Sequence, residues 1–179
     1  KITHGLDRTL EQLENEPPEF IEEIKKFIDG LVSHYVLDDG RLVVAHAGMK
    51  EELQGRGSGR VREFALYGES TGEIDEYGLP VRYDWASHYR GRATVVYGHT
   101  PQFEAQMVNN TINIDTGCVF GGKLTAFRYP EREIVDVKAL KRYYEFPKPF
   151  GMEDEKAKEH EAQYDDILDI NDVLGKRIV

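Results

Sequence analysis

The sequence contains a single cysteine, Cys118, among its 179 residues. One cysteine cannot form an internal disulfide, which is typical of proteins from a reducing compartment. No apolar run approaches the roughly 20 residues that a membrane-spanning helix needs, and no signal peptide is recognisable at the start. These absences predict a soluble, cytoplasmic protein without a membrane partner. Cys118 has no recognisable general base nearby in the sequence and is predicted to be a small buried residue.

Basic residues are in the minority, with 23 Lys and Arg against 33 Asp and Glu and a formal net charge of -10. This balance excludes an overall positive field that would attract nucleic acid or an anionic membrane. It does not exclude a phosphate substrate, because a bound metal ion can reverse the local field of an acidic protein. Hydrophobic residues make up 40% of the chain, which is typical of a globular domain with a sizeable core.

The order of the apolar patterns indicates an α/β protein. The pattern from residue 9 to about 37 predicts helices, with apolar residues recurring at spacings of three and four as far as Leu31. Asp38-Asp39-Gly40 separates two short apolar runs and predicts a hairpin turn. The glycine-rich stretch 50–82 predicts a long irregular excursion with a short helix near 60–66. Five more strands are predicted, at 93–97, 105–108, 111–114, 124–128 and 134–137.

Two histidines stand at the ends of apolar strands. His46 follows Leu-Val-Val-Ala and precedes Ala-Gly, whereas His99 follows Thr-Val-Val-Tyr-Gly and precedes Thr-Pro. A neutral imidazole at the rim of a sheet, beside small residues, is a good ligand for a divalent metal ion. The alternative is that each histidine is only a hydrogen-bonded residue at a strand end. The residues by themselves leave these two interpretations about evenly balanced.

These motifs resemble those of calcineurin-like metallophosphoesterases. His46-Ala47-Gly48 and Gly98-His99-Thr100-Pro101 are similar to the two C-terminal motifs of that family, and the run 113–118 is similar to the sequence that follows them in bacterial members. The runs 66–69 and 78–85 resemble more closely the central phosphatase module of bacterial polynucleotide kinase-phosphatases, which repair RNA. The resemblance covers roughly residues 1–140 and implies a β-sandwich flanked by helices, with the metal site at the strand C-termini.

Three further family motifs, D-x-H, G-D-x-x-D-R-G and G-N-H-[DE], do not occur in the chain. The resemblance implies that His46 and His99 bind the second of two divalent metal ions, foremost Mn²⁺ or Ni²⁺, and that the other ligands lie in a missing N-terminal half. We therefore interpret residues 1–147 as the C-terminal half of a metallophosphoesterase domain. The acidic segment 148–179 is interpreted as a connector toward a ligase-like module, with a kinase module in the same polypeptide.

The other candidate site residues are supported by fewer observations than the two histidines. By resemblance, Asp115 is assigned a catalytic role, accepting a hydrogen bond from a metal-binding histidine, although a turn-capping aspartate is the common alternative. Arg62 and Arg82 flank the glycine-rich excursion and are the candidates to hold substrate phosphates. Tyr83, Trp85 and Tyr89 either stack on a nucleobase or, as the stronger interpretation, belong to an aromatic core.

The favoured function is a metal-dependent phosphoesterase that removes terminal 2′- or 3′-phosphates from nucleic acid in RNA end repair. Its substrate would be a nucleic acid 3′ end or a nucleotide phosphate. The alternatives are a diadenosine tetraphosphatase, a protein serine/threonine phosphatase, and a non-enzymatic scaffold with vestigial histidines. The sequence does not choose among the substrates, because substrate preference in this family depends on loops.

Overall fold

The computed structural model describes residues 6–145, and every structural statement below refers to this part of the chain. The predicted connector at 148–179 lies outside the described residues. Two compact units are present, of which the first ends at Val32 and the second begins at Ser33.

The first unit consists of two helices, α1 at Leu6–Leu13 and α2 at Pro18–Asp29. Proline suits the first position of α2 because its missing N–H would have no partner inside the helix. Neither helix contains a buried residue, and Phe27 on α2 is 69% exposed. The predicted helices are therefore confirmed as far as Asp29, but the predicted helical range up to about residue 37 is wrong at its end, because His34–Leu37 forms a strand.

A five-stranded sheet forms the centre of the second unit. Its strands are β1 (His34–Leu37), β2 (Leu42–Ala45), β5 (Thr94–Tyr97), β6 (Met107–Val108) and β7 (Thr111–Asn113). They lie in the order β1-β2-β5-β7-β6. Strands β2, β5 and β7 are parallel, whereas β1 and β6 pair antiparallel at the two edges. The hairpin at Asp38-Asp39-Gly40 and these strand positions confirm the sequence prediction.

The segment between β2 and β5 is more regular than the sequence predicts. It contains a 3₁₀ helix at Glu51–Leu53, α3 at Gly59–Tyr67, a hairpin of β3 (Ser70–Ile74) and β4 (Pro80–Arg82), and α4 at Trp85–His88. The predicted short helix is confirmed, but the predicted irregular excursion is wrong for 70–82. The β3–β4 hairpin is mostly exposed on both faces, so its sequence lacks the alternation that reveals a half-buried strand.

The core lies between the central sheet and α3. Val43, Val95 and Ile112 are fully buried on the sheet, and Val61 and Phe64 of α3 pack in the same region. A short 3₁₀ helix at Cys118–Phe120 leads to a second hairpin, β8 (Lys123–Arg128) and β9 (Glu133–Lys138). The α/β class is confirmed.

Among the described residues, no helix is both long and apolar enough to cross a membrane.

Candidate metal centre

The three parallel strands of the central sheet end at one edge, and the predicted site residues follow them. His46 comes directly after β2, Gly98-His99 after β5, and Asp115 two residues after β7. Parallel strands place their carboxyl ends side by side, where ligands commonly bind in α/β sheets. The Gly98 N–H donates to the His46 carbonyl at 2.8 Å, which fixes the two histidine-bearing segments against each other.

The two histidine side chains meet at this edge. Nε2 of His46 lies 2.9 Å from Nδ1 of His99, and the ring centroids are 4.8 Å apart at an interplanar angle of 66°. His99 has a φ of 74°, in the left-handed region that non-glycine residues seldom occupy. Such backbone strain is concentrated at functional sites, where the surrounding structure holds it in place.

Arg82 determines which nitrogen of His99 carries hydrogen in this arrangement. Its Nη2 lies 3.2 Å from His99 Nε2, and a guanidinium can only donate, so Nε2 is the acceptor. Nδ1 then carries the hydrogen and donates to His46 Nε2. Burial, with the charge of Arg82 and the neighbouring His46, lowers the pKa of His99 to about 4. The imidazole is therefore neutral at pH 7, which is the form that binds metal ions.

The two facing nitrogens are close enough to bind one metal ion after a change of tautomer. His99 Nδ1 lies 2.9 Å from His46 Nε2 and carries a hydrogen in this arrangement. It binds a metal ion only when that hydrogen has moved to Nε2, which then no longer accepts a hydrogen bond from Arg82. Within residues 6–145, no group of three or more His, Cys, Asp or Glu side chains could hold a metal ion. The described part of the chain thus brings together two imidazoles that fit a metal ion, without a complete ligand set.

Arg82, which ends β4, lies beside this histidine pair. Its Nη1 donates to the Tyr67 carbonyl at the end of α3 while its Nη2 points at His99. Burial lowers the pKa of its guanidinium from its ordinary value. Arg62, the other predicted substrate arginine, is a half-buried residue of α3 whose backbone N–H donates to Ser58. The structure therefore places Arg82 at the candidate site, whereas Arg62 is placed on α3.

Asp115 is held in a turn. Its carboxylate accepts the Gly117 N–H at 3.1 Å, and its own N–H donates to the side-chain oxygen of Asn113 at 2.9 Å. The structure shows the turn-capping alternative, and in the described residues the carboxylate makes no hydrogen bond to His46 or His99. Its charge does act on His99, whose pKa it raises against the larger lowering effects. A catalytic role for Asp115 remains a prediction.

Close packing explains the small residues around the histidines. A Cβ on Gly48 would lie 2.5 Å from the Trp85 ring, and one on Gly98 would lie 3.1 Å from Asp115 Cβ. Trp85 contacts the rings of Phe64, Tyr89 and Tyr97 at centroid distances of 6.0, 6.0 and 4.9 Å. Trp85 and Tyr89 are buried, which confirms the aromatic-core interpretation over base stacking.

Two supporting interactions were not predicted. Asn113 is buried, and its amide donates to the Thr100 carbonyl at 2.8 Å, so it fixes the turn after His99. Lys50 forms an ion pair with Glu69 at 2.8 Å and lies 5.1 Å from the centre of the Phe64 ring. The sequence signal that could have identified Asn113 is its position as an amide residue at the end of a short strand. The Lys50–Glu69 pair has no such signal, because its partners are 19 residues apart.

Comparisons with known proteins give a consistent set of relatives. No family model matches the chain. The chain is 48% identical to the bis(5′-nucleosyl)-tetraphosphatase PrpE (asymmetrical) of Anoxybacillus flavithermus. The alignment spans 147 residues and covers 80% of this chain and 60% of that protein. It is 47% identical to the PrpE of Bacillus subtilis over 149 residues, 81% of this chain and 61% of that protein. The chain therefore spans about 60% of the length of the curated relatives it matches.

A solved structure provisionally described as a diadenosine tetraphosphatase is 22% identical, covering 74% of this chain and 63% of that one, with a TM-score of 0.48. This likeness is too weak to support an argument. Neither of the two PrpE relatives is described as a polynucleotide kinase-phosphatase, so that more specific resemblance is not supported. By sequence, the chain is similar to bacterial PrpE tetraphosphatases over four-fifths of its length.

Proposed function

We propose that this chain carries the C-terminal share of a metal-dependent site that hydrolyses dinucleoside tetraphosphates. The observation that carries the proposal is the pair of imidazole nitrogens, 2.9 Å apart, at the ends of adjacent parallel strands. Two PrpE relatives, 47% and 48% identical, support the substrate class through their names as bis(5′-nucleosyl)-tetraphosphatases. The other metal ligands are expected from the part of the relatives' length that this chain does not span.

The chain's own residues have three tasks in this reaction. His46 and His99 would hold one of two divalent metal ions, with Mn²⁺ or Ni²⁺ the foremost candidates. When bound, a pair of such ions binds phosphate oxygens and lowers the pKa of water, so that hydroxide exists at neutral pH. Arg82 presents a planar guanidinium beside the histidines, a geometry suited to phosphate oxygens. Asp115 and Asn113 hold the turn that follows β7 at the same edge.

The products follow from where the bond breaks. The oxygen of water bonds to the phosphorus nearest one nucleoside, and the bond from that phosphorus to the bridging oxygen breaks. One nucleoside monophosphate and one nucleoside triphosphate result, and the two hydrogens of water pass as protons to solvent or to the product phosphates. This asymmetrical outcome is the one named for the relatives. RNA end repair receives no support from those relatives, and the net charge of -10 disfavours binding to a long nucleic acid.

The test is hydrolysis of diadenosine tetraphosphate by the full-length protein with Mn²⁺. His46→Ala and His99→Ala should each lower kcat by at least a hundredfold, because each removes a ligand of the ion that activates water. The matched control is His88→Ala, since His88 is an exposed residue at the end of α4. Wild-type rates in both ligand variants, with folding shown by circular dichroism, would refute the proposal. Cleavage of a 3′-phosphorylated RNA in preference to the tetraphosphate would restore the RNA-repair hypothesis.

A further inference from the structure

Two exposed aromatic side chains stand on segments that are attached to the ends of the strands carrying the site residues. Tyr67 is 58% exposed and Phe103 is 62% exposed. Trp85 and Tyr89, by contrast, are 8% and 5% exposed. An exposed aromatic ring beside a polar site offers a flat surface on which a nucleobase can stack.

The backbone beneath Tyr67 is fixed from two directions. Tyr67 is the last residue of α3, and the Gly68 N–H closes that helix on the Phe64 carbonyl at 2.8 Å. The Tyr67 carbonyl accepts a hydrogen bond from Arg82, which also contacts His99. The ring is therefore exposed on a segment that is attached to the candidate site itself.

Phe103 stands on a similarly fixed segment. The preceding Gln102 N–H donates to the Asp115 carbonyl at 2.9 Å. The following Glu104 is held by Lys123 through two contacts of 3.0 and 2.9 Å. Because both neighbours of Phe103 are anchored, ordering its ring around a ligand costs little backbone entropy.

The segments that carry the two aromatics are attached to strand ends on opposite sides of the strand that leads to His99. The helix that ends at Tyr67 is attached to the chain just after β2, through a 2.7 Å hydrogen bond from the Ala47 N–H to the Ala65 carbonyl. Phe103 is attached to the chain just after β7, through Asp115. Strand β5, which leads to His99, lies between β2 and β7 in the sheet. Two strand spacings separate β2 from β7, about 10 Å.

We propose that Tyr67 and Phe103 are stacking platforms for the two nucleobases of the substrate, one on each side of the metal centre. This inference rests on the proposed function, because a dinucleoside tetraphosphate has one base at each end of its phosphate chain. The phosphates would then cross the sheet edge between the platforms, over His46 and His99 and beside Arg82. Neither ring touches the reacting phosphorus, so both residues contribute to substrate affinity and not to the chemical step.

The experiment compares diadenosine tetraphosphate with its base-free analogue, in which each adenosine is replaced by ribose. In the full-length protein, Tyr67→Ala and Phe103→Ala should each raise KM for diadenosine tetraphosphate about tenfold, with kcat unchanged, as expected for the loss of one base stack. Neither variant should change kcat/KM for the base-free analogue. Tyr67→Phe and Phe103→Tyr keep a ring and should restore wild-type KM. Phe27→Ala, which removes a similarly exposed ring from the first unit, serves as the matched control.

The outcomes separate this inference from the proposed function. An equal loss of kcat/KM on both substrates would show a merely structural role and would overturn the stacking assignment, as would an unchanged KM for diadenosine tetraphosphate. If the protein hydrolyses neither substrate, the proposed function fails. Binding of a fluorescent etheno-adenine dinucleoside tetraphosphate then decides the inference alone. A Kd raised about tenfold by each alanine variant supports the platforms, and an unchanged Kd refutes them.

Discussion

Gly48 packs against the indole of Trp85 so closely that a Cβ at position 48 would lie 2.5 Å from Trp85 Cζ2. Its φ of 137° is also one that residues with a side chain rarely adopt. We predict that Gly48→Ala lowers the free energy of unfolding by about 2–3 kcal/mol, because a rigid indole cannot yield to the added methyl group. His46 is two residues away, so metal affinity should fall as well. Urea denaturation and metal titration measure the two effects.

Gly59 provides the control for this substitution. It lies at the start of α3, has no heavy atom within 4 Å of its Cβ position and has no positive φ. Gly59→Ala should therefore be neutral or stabilise the protein by up to about 1 kcal/mol, since alanine is the better helix former. Equal destabilisation by both substitutions would contradict the packing argument.

The ion pair between Lys50 and Glu69 joins the segment after His46 to the start of the β3–β4 hairpin. The Lys50 side chain is 12% exposed and that of Glu69 is 31% exposed, at a distance of 2.8 Å. Removal of one partner takes this ion pair away from a partly buried charge, and we expect Lys50→Met or Glu69→Gln to cost about 1–2 kcal/mol. This value lies below that for a fully buried pair because water reaches Glu69.

A double-mutant cycle isolates the pairwise part of that effect. The double variant should be less destabilised than the sum of the single variants, by about 1 kcal/mol in denaturant unfolding. The exposed pair Lys25–Glu22 has side chains that are 66% and 60% exposed. It should show a coupling of no more than a few tenths of a kcal/mol. Strict additivity at Lys50 and Glu69 would show that the pair contributes nothing to stability.

The sequence predicts the parts of this site that depend on local patterns better than those that depend on contacts between residues far apart along the chain. The strand ends that carry His46 and His99 follow from local apolar runs, so their placement at one sheet edge is predictable. The attachment of Arg82 to Tyr67 and His99 depends on the β3–β4 hairpin, whose exposed residues carry no periodic signal. Asp115 could not be assigned from sequence, because an aspartate before a turn satisfies both a capping and a catalytic pattern.

His34 predicts a pH dependence of stability. It is 1% exposed, and its Nε2 accepts the Gly55 N–H at 2.8 Å, so Nδ1 carries the hydrogen and faces Ser33 Oγ at 2.9 Å. Burial lowers its pKa below 6.5. The unfolded chain therefore binds a proton near pH 6.5 while the folded protein does not. Stability from this residue is fully present above pH 6.5 and decreases as the pH falls toward the lowered folded pKa.

The variant His34→Gln removes that titration while keeping an oxygen that can accept the Gly55 N–H. The melting temperature of the wild type should fall more steeply than that of the variant between pH 7 and pH 5. Parallel curves over this range would show that His34 does not contribute to the pH dependence.

The two contacts of the Arg82 guanidinium predict that lysine cannot replace arginine at this position. Its guanidinium reaches the Tyr67 carbonyl and His99 at once, which a lysine ammonium with a single nitrogen cannot reproduce with the same planar geometry. We expect Arg82→Lys and Arg82→Met to raise KM for the tetraphosphate by tenfold or more. Arg92→Met, at an exposed position, is the control, and Arg62→Met tests the other predicted substrate arginine. A fully active Arg82→Lys variant would show that only the charge matters.

The β8–β9 hairpin exposes a facing apolar pair in the described structure. Leu124 and Val137 are directly opposite each other and are 67% and 70% exposed. Apolar residues on an exposed sheet favour self-association, so Leu124→Lys or Val137→Lys should lower the aggregation of this chain expressed alone. The free energy of unfolding should change by less than about 0.5 kcal/mol, because surface substitutions are usually nearly neutral.

Thr125 on the opposite face distinguishes this effect from a general gain in charge. It is 8% exposed, and its Oγ1 lies 2.6 Å from Thr116 Oγ1. Thr125→Lys adds the same charge but buries it, so it should destabilise the protein and increase aggregation. Light scattering at matched concentration and urea unfolding give the two measurements. If Leu124→Lys and Val137→Lys leave aggregation unchanged, or destabilise the fold as much as Thr125→Lys does, the face around Leu124 is not the source of self-association.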